Sequence, residues 1–295
     1  MENPFTDIYT KDKTDEVLIE RAVSGERQAL EELILRHQGW VYNIALRMVF
    51  NPDDAKDVTQ EVLIKIITKL SSFKGESSFR TWVYRIVINH ILNLKKSTSE
   101  ITHSDNFESY AKSIDNCPDY EIHSEMGSGF NADAVVEEVK LSCMYGMLLC
   151  LDREQRIVFI LGVLFGVTDR TGGELLEITK ENFRKKLSRA RKDIFSFMNN
   201  QCGLMKKSNP CQCSKKAKAL IDYGAVNPEN LMFNKNYTRK MKDIIPVTLR
   251  KYTDFEERKA YRLFIDQPFQ ESPDYVRYLK NLINTESFKD TFKIN

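Results

Sequence analysis

Residues 73–96, which read FKGESSFRTWVYRIVINHILNLKK, combine aromatic, cationic and amide side chains that could bind a ligand. On a helix over this stretch, residues three or four apart share one face, and here they are Trp82, Arg85, Asn89, Asn93 and Lys96. That face offers a ring on which a base can stack, cations for phosphate, and amides that can read base edges. These are the groups that bind single-stranded nucleic acid. The polar loop before the helix adds Lys74, Gly75 and Ser77, which could admit a flipped base.

The same stretch also has a purely structural explanation. Phe79, Trp82 and Tyr84 could be ordinary core aromatics beneath solvated charges, because such mixtures are common on helices. The spacing alone favours this explanation over nucleic-acid binding.

A second candidate site is a basic helix near the middle of the chain. Residues 166–194 read as helix, turn, helix, and the span 180–192 holds seven basic residues against one acidic residue. The predicted buried stripe of the second helix is Phe183, Leu187, Ala190 and Ile194, and the polar face holds Lys180, Arg184, Lys185, Ser188, Arg189 and Lys192. A basic helix braced by a short preceding helix is the arrangement that reads the major groove of DNA. A merely solvated cationic helix is the alternative, which so dense a charge disfavours.

Three cysteines form a third candidate site, at Cys202, Cys211 and Cys213. Their thiolates could bind zinc, and the lysines that flank them are expected to lower the pKa of the thiols. A structural zinc site needs four ligands, so the fourth would be Cys143, Cys150, Cys117 or water. A reduced, metal-free turn is the alternative, and the sequence leaves the choice open.

Composition limits the class of protein. The chain has 295 residues, 42% of them hydrophobic, and a formal net charge of only +2. That sum conceals an acidic block over 105–138, with nine acidic residues and one lysine, ahead of the basic helix. The N-terminus lacks the apolar segment of a signal peptide, and the most apolar run, 157–167, is too short to span a bilayer. Six cysteines without a secretion signal then indicate reduced thiols in the cytoplasm.

Helical periodicity predominates, so the sequence predicts an all-α fold. Asn51 is the expected N-cap of a helix that starts at Pro52. Its predicted buried stripe is Val58, Val62, Ile66 and Leu70. The stretch 98–135 lacks periodicity and is interpreted as a flexible acidic linker. The predicted domains are therefore 14–97, 136–200 after the linker, and a small, mainly helical extension over 201–295.

These motifs together resemble bacterial RNA polymerase sigma factors of the extracytoplasmic-function type. DDAKDVTQEVLIKI resembles the core-binding helix of region 2, and FKGESSFRTWVYRIVINH resembles the loop and helix that melt and read the −10 element. LDREQRIVFIL with FGVTDRTGGELLEITKENFRKKLSRAR is similar to the region 4 helix-turn-helix. The resemblance covers about 14–97 and 140–200, and the final extension resembles one found in a subset of these factors.

The resemblance implies roles for matching positions. Core polymerase would contact Asp57, Gln60 and Glu61, which lie off the predicted buried stripe. The −10 element would be opened and held by Lys74, Ser77, Arg80, Trp82, Arg85, Asn89 and Asn93. The −35 element would be read by Lys180, Arg184, Lys185, Ser188 and Arg189. The acidic linker would thread the polymerase's RNA-exit path.

The sequence departs from the family pattern in the helix-turn-helix. Gly172 and Gly173 replace a bulky apolar residue and an alanine, and each glycine within a helix costs about 1 kcal/mol relative to alanine. Glu177 stands at the turn position that the family usually gives to glycine. The turn is therefore expected to avoid or tolerate a positive φ.

Two other classes of protein are weighed against a sigma factor. A stand-alone helix-turn-helix regulator would need neither the core-binding face nor the aromatic melting helix. A metal-dependent nuclease would need carboxylates or histidines clustered at metal spacing, and the sequence contains no such cluster. The prediction is thus a non-enzymatic sigma factor with core polymerase and promoter DNA as partners, no membrane association and no required cofactor. An anti-sigma factor is kept as a candidate partner.

Overall fold

The computed structural model describes residues 4–5, 14–96, 98–102, 106–121, 131–235, 237, 239–244 and 255–283. Helices predominate throughout these residues, and the described strands form one two-stranded sheet, so the all-α prediction is confirmed. None of the helices in the described part of the chain has the length and apolar character to cross a membrane.

The first domain is a bundle of α1 (Thr14–Val23), α2 (Arg27–Val49), α3 (Pro52–Lys69) and α4 (Phe79–Asn93). The Asn51 side chain caps α3, accepting hydrogen bonds from the amides of Asp53 at 2.7 Å and Asp54 at 3.2 Å. The predicted stripe of α3 is buried along its whole length, from Val58 to Leu70. A buried apolar face and a local cap thus make this helix predictable from its sequence.

The predicted linker contains helices that its sequence does not indicate. These are α5 (Thr98–Thr102) and α6 (Phe107–Asp115), whereas 103–105 and 122–130 lie outside the described residues. The Tyr110 ring of α6 stacks on Phe197 at a centroid distance of 5.5 Å. Contacts with a distant part of the chain, rather than local periodicity, therefore order this acidic segment.

The second domain comprises α7 (Ala132–Leu149), α8 (Arg153–Phe159), α9 (Asp169–Leu176) and α10 (Lys180–Gln201). A π-helical turn, Ile160–Leu164, continues α8, and the apolar run 157–167 is buried here apart from Gly162 and Gly166. Helices α9 and α10 form the predicted helix-turn-helix.

The two glycines of α9 have a packing role that the sequence does not reveal. A Cβ on Gly172 would lie 2.3 Å from the Phe183 ring, and one on Gly173 would lie 2.8 Å from the Ile178 carbonyl oxygen. Close approach of α9 to α10 therefore requires both glycines. Glu177 ends α9 in the left-handed conformation, with φ 55°, so the turn tolerates a positive φ without glycine.

Within its described residues, the extension contains four helices and the sheet. They are α11 (Cys213–Asp222), α12 (Met241–Ile244), α13 (Phe255–Ile265) and α14 (Tyr275–Ile283), with β1 (Arg239–Lys240) antiparallel to β2 (Pro268–Phe269). Residues 245–254 and 284–295 of the predicted extension lie outside the described residues.

One hydrophobic core runs through all three parts of the chain. The buried Trp40 ring of α2 lies 5.4 Å from Phe165 of the second domain and 5.0 Å from Phe269 of the extension. The Phe233 ring stacks on Tyr145 of α7 at 4.3 Å and contacts Phe50 at 5.5 Å. The extension is therefore packed into the seam between the two domains.

Candidate nucleic-acid and polymerase interfaces

The aromatic residues of α4 divide into buried and half-buried members. Phe79 and Tyr84 are buried, as the structural explanation of this stretch expects. Trp82 is half-buried and packs against Phe79, with centroids 5.7 Å apart and rings nearly parallel, and against Phe73 at 5.6 Å. The exposed part of the Trp82 ring is the part that a base could reach.

Arg80 and Arg85 of α4 both make contacts within the protein. Arg80 is buried and its Nη1 donates to the Pro4 carbonyl oxygen at 2.7 Å, so it does not lie on the surface predicted to bind DNA. Residue 80 follows the helix N-cap closely, and its position on the helix turns it toward the N-terminal segment. Arg85 donates from Nε to the Glu174 carbonyl oxygen of α9 at 3.0 Å and lies 3.9 Å from the Glu177 carboxylate.

The other predicted −10 residues lie at the surface. Lys74, Asn89 and Asn93 are exposed, and Ser77 is half-buried. The Asn93 side-chain Nδ2 donates to the Asn89 backbone carbonyl oxygen at 2.7 Å, so the Asn93 side chain lies along the helix. The exposed polar groups of the −10 surface are therefore those of Asn89, Asn93 and the loop.

Helix α10 presents the predicted basic face to solvent. Phe183, Ala190 and Ile194 are buried and Leu187 is half-buried, while the outer face exposes Lys180, Arg184, Lys185, Ser188 and Arg189. Arg184 lies 3.2 Å from both Asp169 and Glu181. Two of the predicted −35 cations, Lys185 and Arg189, pair with no carboxylate within the described residues. Exposed cations on a braced helix can bind phosphates or base edges.

The predicted core-binding residues line the outer side of α3. Asp57 and Glu61 are exposed and Gln60 is half-buried. Glu61 lies 3.3 Å from His90 Nε2 of α4. Burial lowers the pKa of His90, and the positive charge of Lys65 lowers it further. Gln60 donates from Nε2 to the Tyr278 hydroxyl of the extension at 2.6 Å.

The three cysteines predicted to bind metal lie with Cys143 of α7 around a small apolar cavity. Burial, not the nearby lysines, dominates their chemistry: it raises the pKa of Cys202, raises that of Cys211 to about 12 and raises that of Cys213 to about 11. Lys216 does lower the pKa of Cys211, as the sequence predicts, but desolvation outweighs this charge and the pKa is raised overall.

The described residues contain no group of three or more His, Cys, Asp or Glu side chains arranged to hold a metal ion. Cys202 and Cys211 instead pair through their backbones in an isolated parallel bridge. The zinc prediction gains no support from this geometry and stays a prediction.

Sequence reasoning missed a buried ion cluster that joins the linker to the second domain. Glu100 of α5 pairs with Arg153 at 2.6 Å and with Arg156 at 2.9 Å. Arg156 is itself buried and donates to the Leu148 carbonyl oxygen at 3.0 Å. An acidic residue in a polar, aperiodic segment gives no local signal of such a role.

Comparisons with known proteins define the class of the first domain. Residues 33–101 match the family model described as Sigma-70 region 2. The chain is 39% identical over 79 residues to RNA polymerase sigma-H factor of Pseudomonas aeruginosa, covering 27% of this chain and 41% of that protein. It is 42% identical over 80 residues to ECF RNA polymerase sigma-E factor of Escherichia coli, with the same two shares.

These matches confirm the resemblance to sigma factors of the extracytoplasmic-function type. The chain spans only about 41% of the length of these curated relatives. A solved structure of CnrH in complex with the cytosolic domain of CnrY is 19% identical in sequence, with a TM-score of 0.45. That similarity covers 63% of this chain and 97% of CnrH.

Proposed function

We propose that this protein is a sigma factor, which binds core RNA polymerase and directs it to promoters by recognising −35 and −10 elements and melting DNA. The observation that carries the proposal is the Sigma-70 region 2 match over 33–101, which contains both the polar side of α3 and the whole of α4. A protein with this role needs no catalytic centre, and it works in the cytoplasm, where core polymerase is.

In this proposal α3 meets core polymerase through Asp57, Gln60 and Glu61. Helix α4 and the loop before it hold the opened −10 strand, with Trp82 as the stacking ring and Asn89 as an accessible amide. Helix α10 enters the major groove at −35, where Lys185 and Arg189 supply cations for phosphates and base edges. Arg80 is left out of the DNA surface because it is buried.

The proposed role requires the two domains to separate. Arg85 of α4 contacts α9 here, whereas the −35 and −10 elements are separated by about 85 Å, taking about 25 base pairs at roughly 3.4 Å each. Two helices in contact cannot occupy both elements at once. The compact arrangement is therefore the free form of the factor, and the form bound to polymerase and promoter is open.

Run-off transcription tests the proposal directly. Purified core polymerase is incubated with the full chain and a genomic promoter library, and the transcripts are sequenced. We expect start sites downstream of a shared −35 and −10 pair, and loss of transcription when Asp57→Arg and Glu61→Arg are combined. These exposed residues should alter the free energy of unfolding by no more than about 0.5 kcal/mol.

A stand-alone helix-turn-helix regulator would give a different result. It would bind duplex DNA through α10 without core polymerase, and it would yield no transcripts in this assay. An anti-sigma factor remains a predicted partner, which affinity capture with the full chain would identify.

A further inference from the structure

Helix α14 of the extension lies against the first domain beside the surface proposed to bind polymerase. Tyr275, Val276 and Leu279 are buried, and α14 packs mainly on α2. Near the exposed end of the helix, the Lys280 Nζ atom lies 2.9 Å from the Glu31 carboxylate of α2. The helix thus carries a buried apolar side and a polar rim, as a docked interface does.

Two tyrosines of α14 reach α3 directly. The Tyr278 hydroxyl accepts the hydrogen bond from Gln60 at 2.6 Å, and the Tyr275 hydroxyl donates to the Lys56 carbonyl oxygen at 3.2 Å. Burial raises the pKa of Tyr275, as expected for a hydroxyl held within an interface. The helix therefore contacts Gln60 of the proposed polymerase surface and the backbone of Lys56, one turn earlier on α3.

The chain before α14 is anchored to α2 by buried hydrogen bonds. The buried Asn43 side chain donates to the Gln270 carbonyl oxygen at 2.8 Å and accepts from the Gln270 amide at 3.0 Å. Buried Arg47 donates to the Pro268 carbonyl oxygen at 3.0 Å. Charged and buried hydrogen bonds are stronger than exposed ones, so the segment 268–270 stays in place when α14 lifts.

We propose that α14 is an intramolecular competitor of core RNA polymerase, docked on the first domain so that the polymerase must displace it to reach α3. The proposal rests on the proposed sigma function and adds its regulation. Displacement requires α14 to give up its apolar packing on α2, the ion pair of Lys280 with Glu31, and its hydrogen bonds to α3, and the binding of polymerase to α3 would compensate for these losses. The anchored segment keeps the local concentration of α14 high, which lowers the apparent affinity of the free factor for polymerase.

Variants of the full chain test this competition. Leu279→Asp places a charge at a buried position and should undock α14, and Tyr278→Ala removes a partly exposed ring together with its hydroxyl contact with Gln60. Arg277→Ala is the matched control, because Arg277 lies on the same helix and is exposed. The Kd for purified core polymerase is measured for each variant, and amide hydrogen exchange over 275–283 reports whether α14 has undocked.

We expect Leu279→Asp to bind core polymerase about tenfold more tightly than the unchanged chain, Tyr278→Ala to show a smaller gain, and Arg277→Ala to show none. Faster exchange over 275–283 with an unchanged or weaker affinity would overturn the competition while leaving the sigma function intact. If neither the unchanged chain nor any variant binds core polymerase, the proposed function itself fails. If Leu279→Asp weakens folding elsewhere, Tyr278→Ala decides, because Tyr278 is far more exposed than Leu279.

Discussion

At the scale of single residues, two cations of α10 are the best candidates to contact DNA. Lys185 and Arg189 are exposed, and each removal should weaken binding to duplex DNA that carries the −35 element. Each substitution by alanine should also reduce the slope of log affinity against log salt by about 1, because one fewer counterion is released. Fluorescence anisotropy across a salt series measures both effects.

The matched control lies on the same helix. Lys186→Ala removes the same charge from a half-buried lysine that pairs with Glu154 at 2.6 Å. It should leave the affinity and the salt slope nearly unchanged. Equal losses for all three variants would mean that α10 contributes only a diffuse positive field.

Arg80 belongs to the stability of the fold rather than to DNA recognition. Arg80→Ala removes the hydrogen bond to the Pro4 carbonyl oxygen and leaves that oxygen without its charged donor. We expect the free energy of unfolding to fall by about 1.5–3 kcal/mol, the usual range for a bond to a charged group. Urea denaturation measures the change, and an altered DNA affinity with unchanged stability would restore Arg80 to the DNA surface.

At the scale of elements, the turn between α9 and α10 depends on close packing. Alanine is the better helix former, yet Gly173→Ala should destabilise the protein by about 1–3 kcal/mol, because its Cβ meets a backbone oxygen at 2.8 Å. Thermal unfolding measures the loss.

Glu177→Gly is the opposite test in the same turn. It should raise stability by about 1 kcal/mol, since glycine adopts a positive φ without the penalty that glutamate carries.

A stabilising Gly173→Ala would show that α9 can move away from α10, and the packing argument would then be wrong.

The loop between α10 and α11 holds thiols that resist deprotonation. With its pKa raised to about 12, the Cys211 thiol is ionised in only about one molecule in ten thousand at pH 8, against about one in four for a free cysteine. Alkylation of the peptide that contains Cys211 and Cys213 should therefore be at least about a hundredfold slower in the folded protein than after unfolding. Mass spectrometry follows the rate.

The same thiols make stability depend on pH. Because their pKa values are higher in the folded than in the unfolded state, the folded state holds more protons above about pH 8.5, and the free energy of unfolding falls as pH rises further.

Rapid alkylation at pH 7 would contradict the burial argument. Near-stoichiometric zinc by elemental analysis, lost in Cys211→Ser/Cys213→Ser, would show that the loop rearranges around a metal.

At the scale of the whole molecule, the contact between α4 and α9 defines a closed state. Fluorophores placed at exposed positions of α4 and α10 should give high energy transfer in the free protein. Addition of core polymerase and promoter DNA should lower the transfer sharply, as the helices move toward a separation of about 85 Å. Persistent high transfer in an active transcription complex would contradict domain opening.

The sequence by itself determined the features that depend on residues close together in the chain. The cap at Asn51, the buried stripe of α3 and the divided faces of α10 follow from helical spacing and local hydrogen bonds, and the structure has all of them. The Sigma-70 region 2 resemblance rests on the same kind of local pattern.

The tertiary structure alone decided the features that depend on residues far apart. Tyr278 meets Gln60, Gln270 meets Asn43 and Arg156 meets Glu100 across separations of 218, 227 and 56 residues. Burial removes Arg80 from the surface predicted to bind DNA, and it raises the pKa of the cysteine thiols although a neighbouring lysine acts in the opposite direction. Local spacing shows which face of a helix is apolar, but packing between distant segments determines what covers that face, and this decides which polar groups are accessible to a partner.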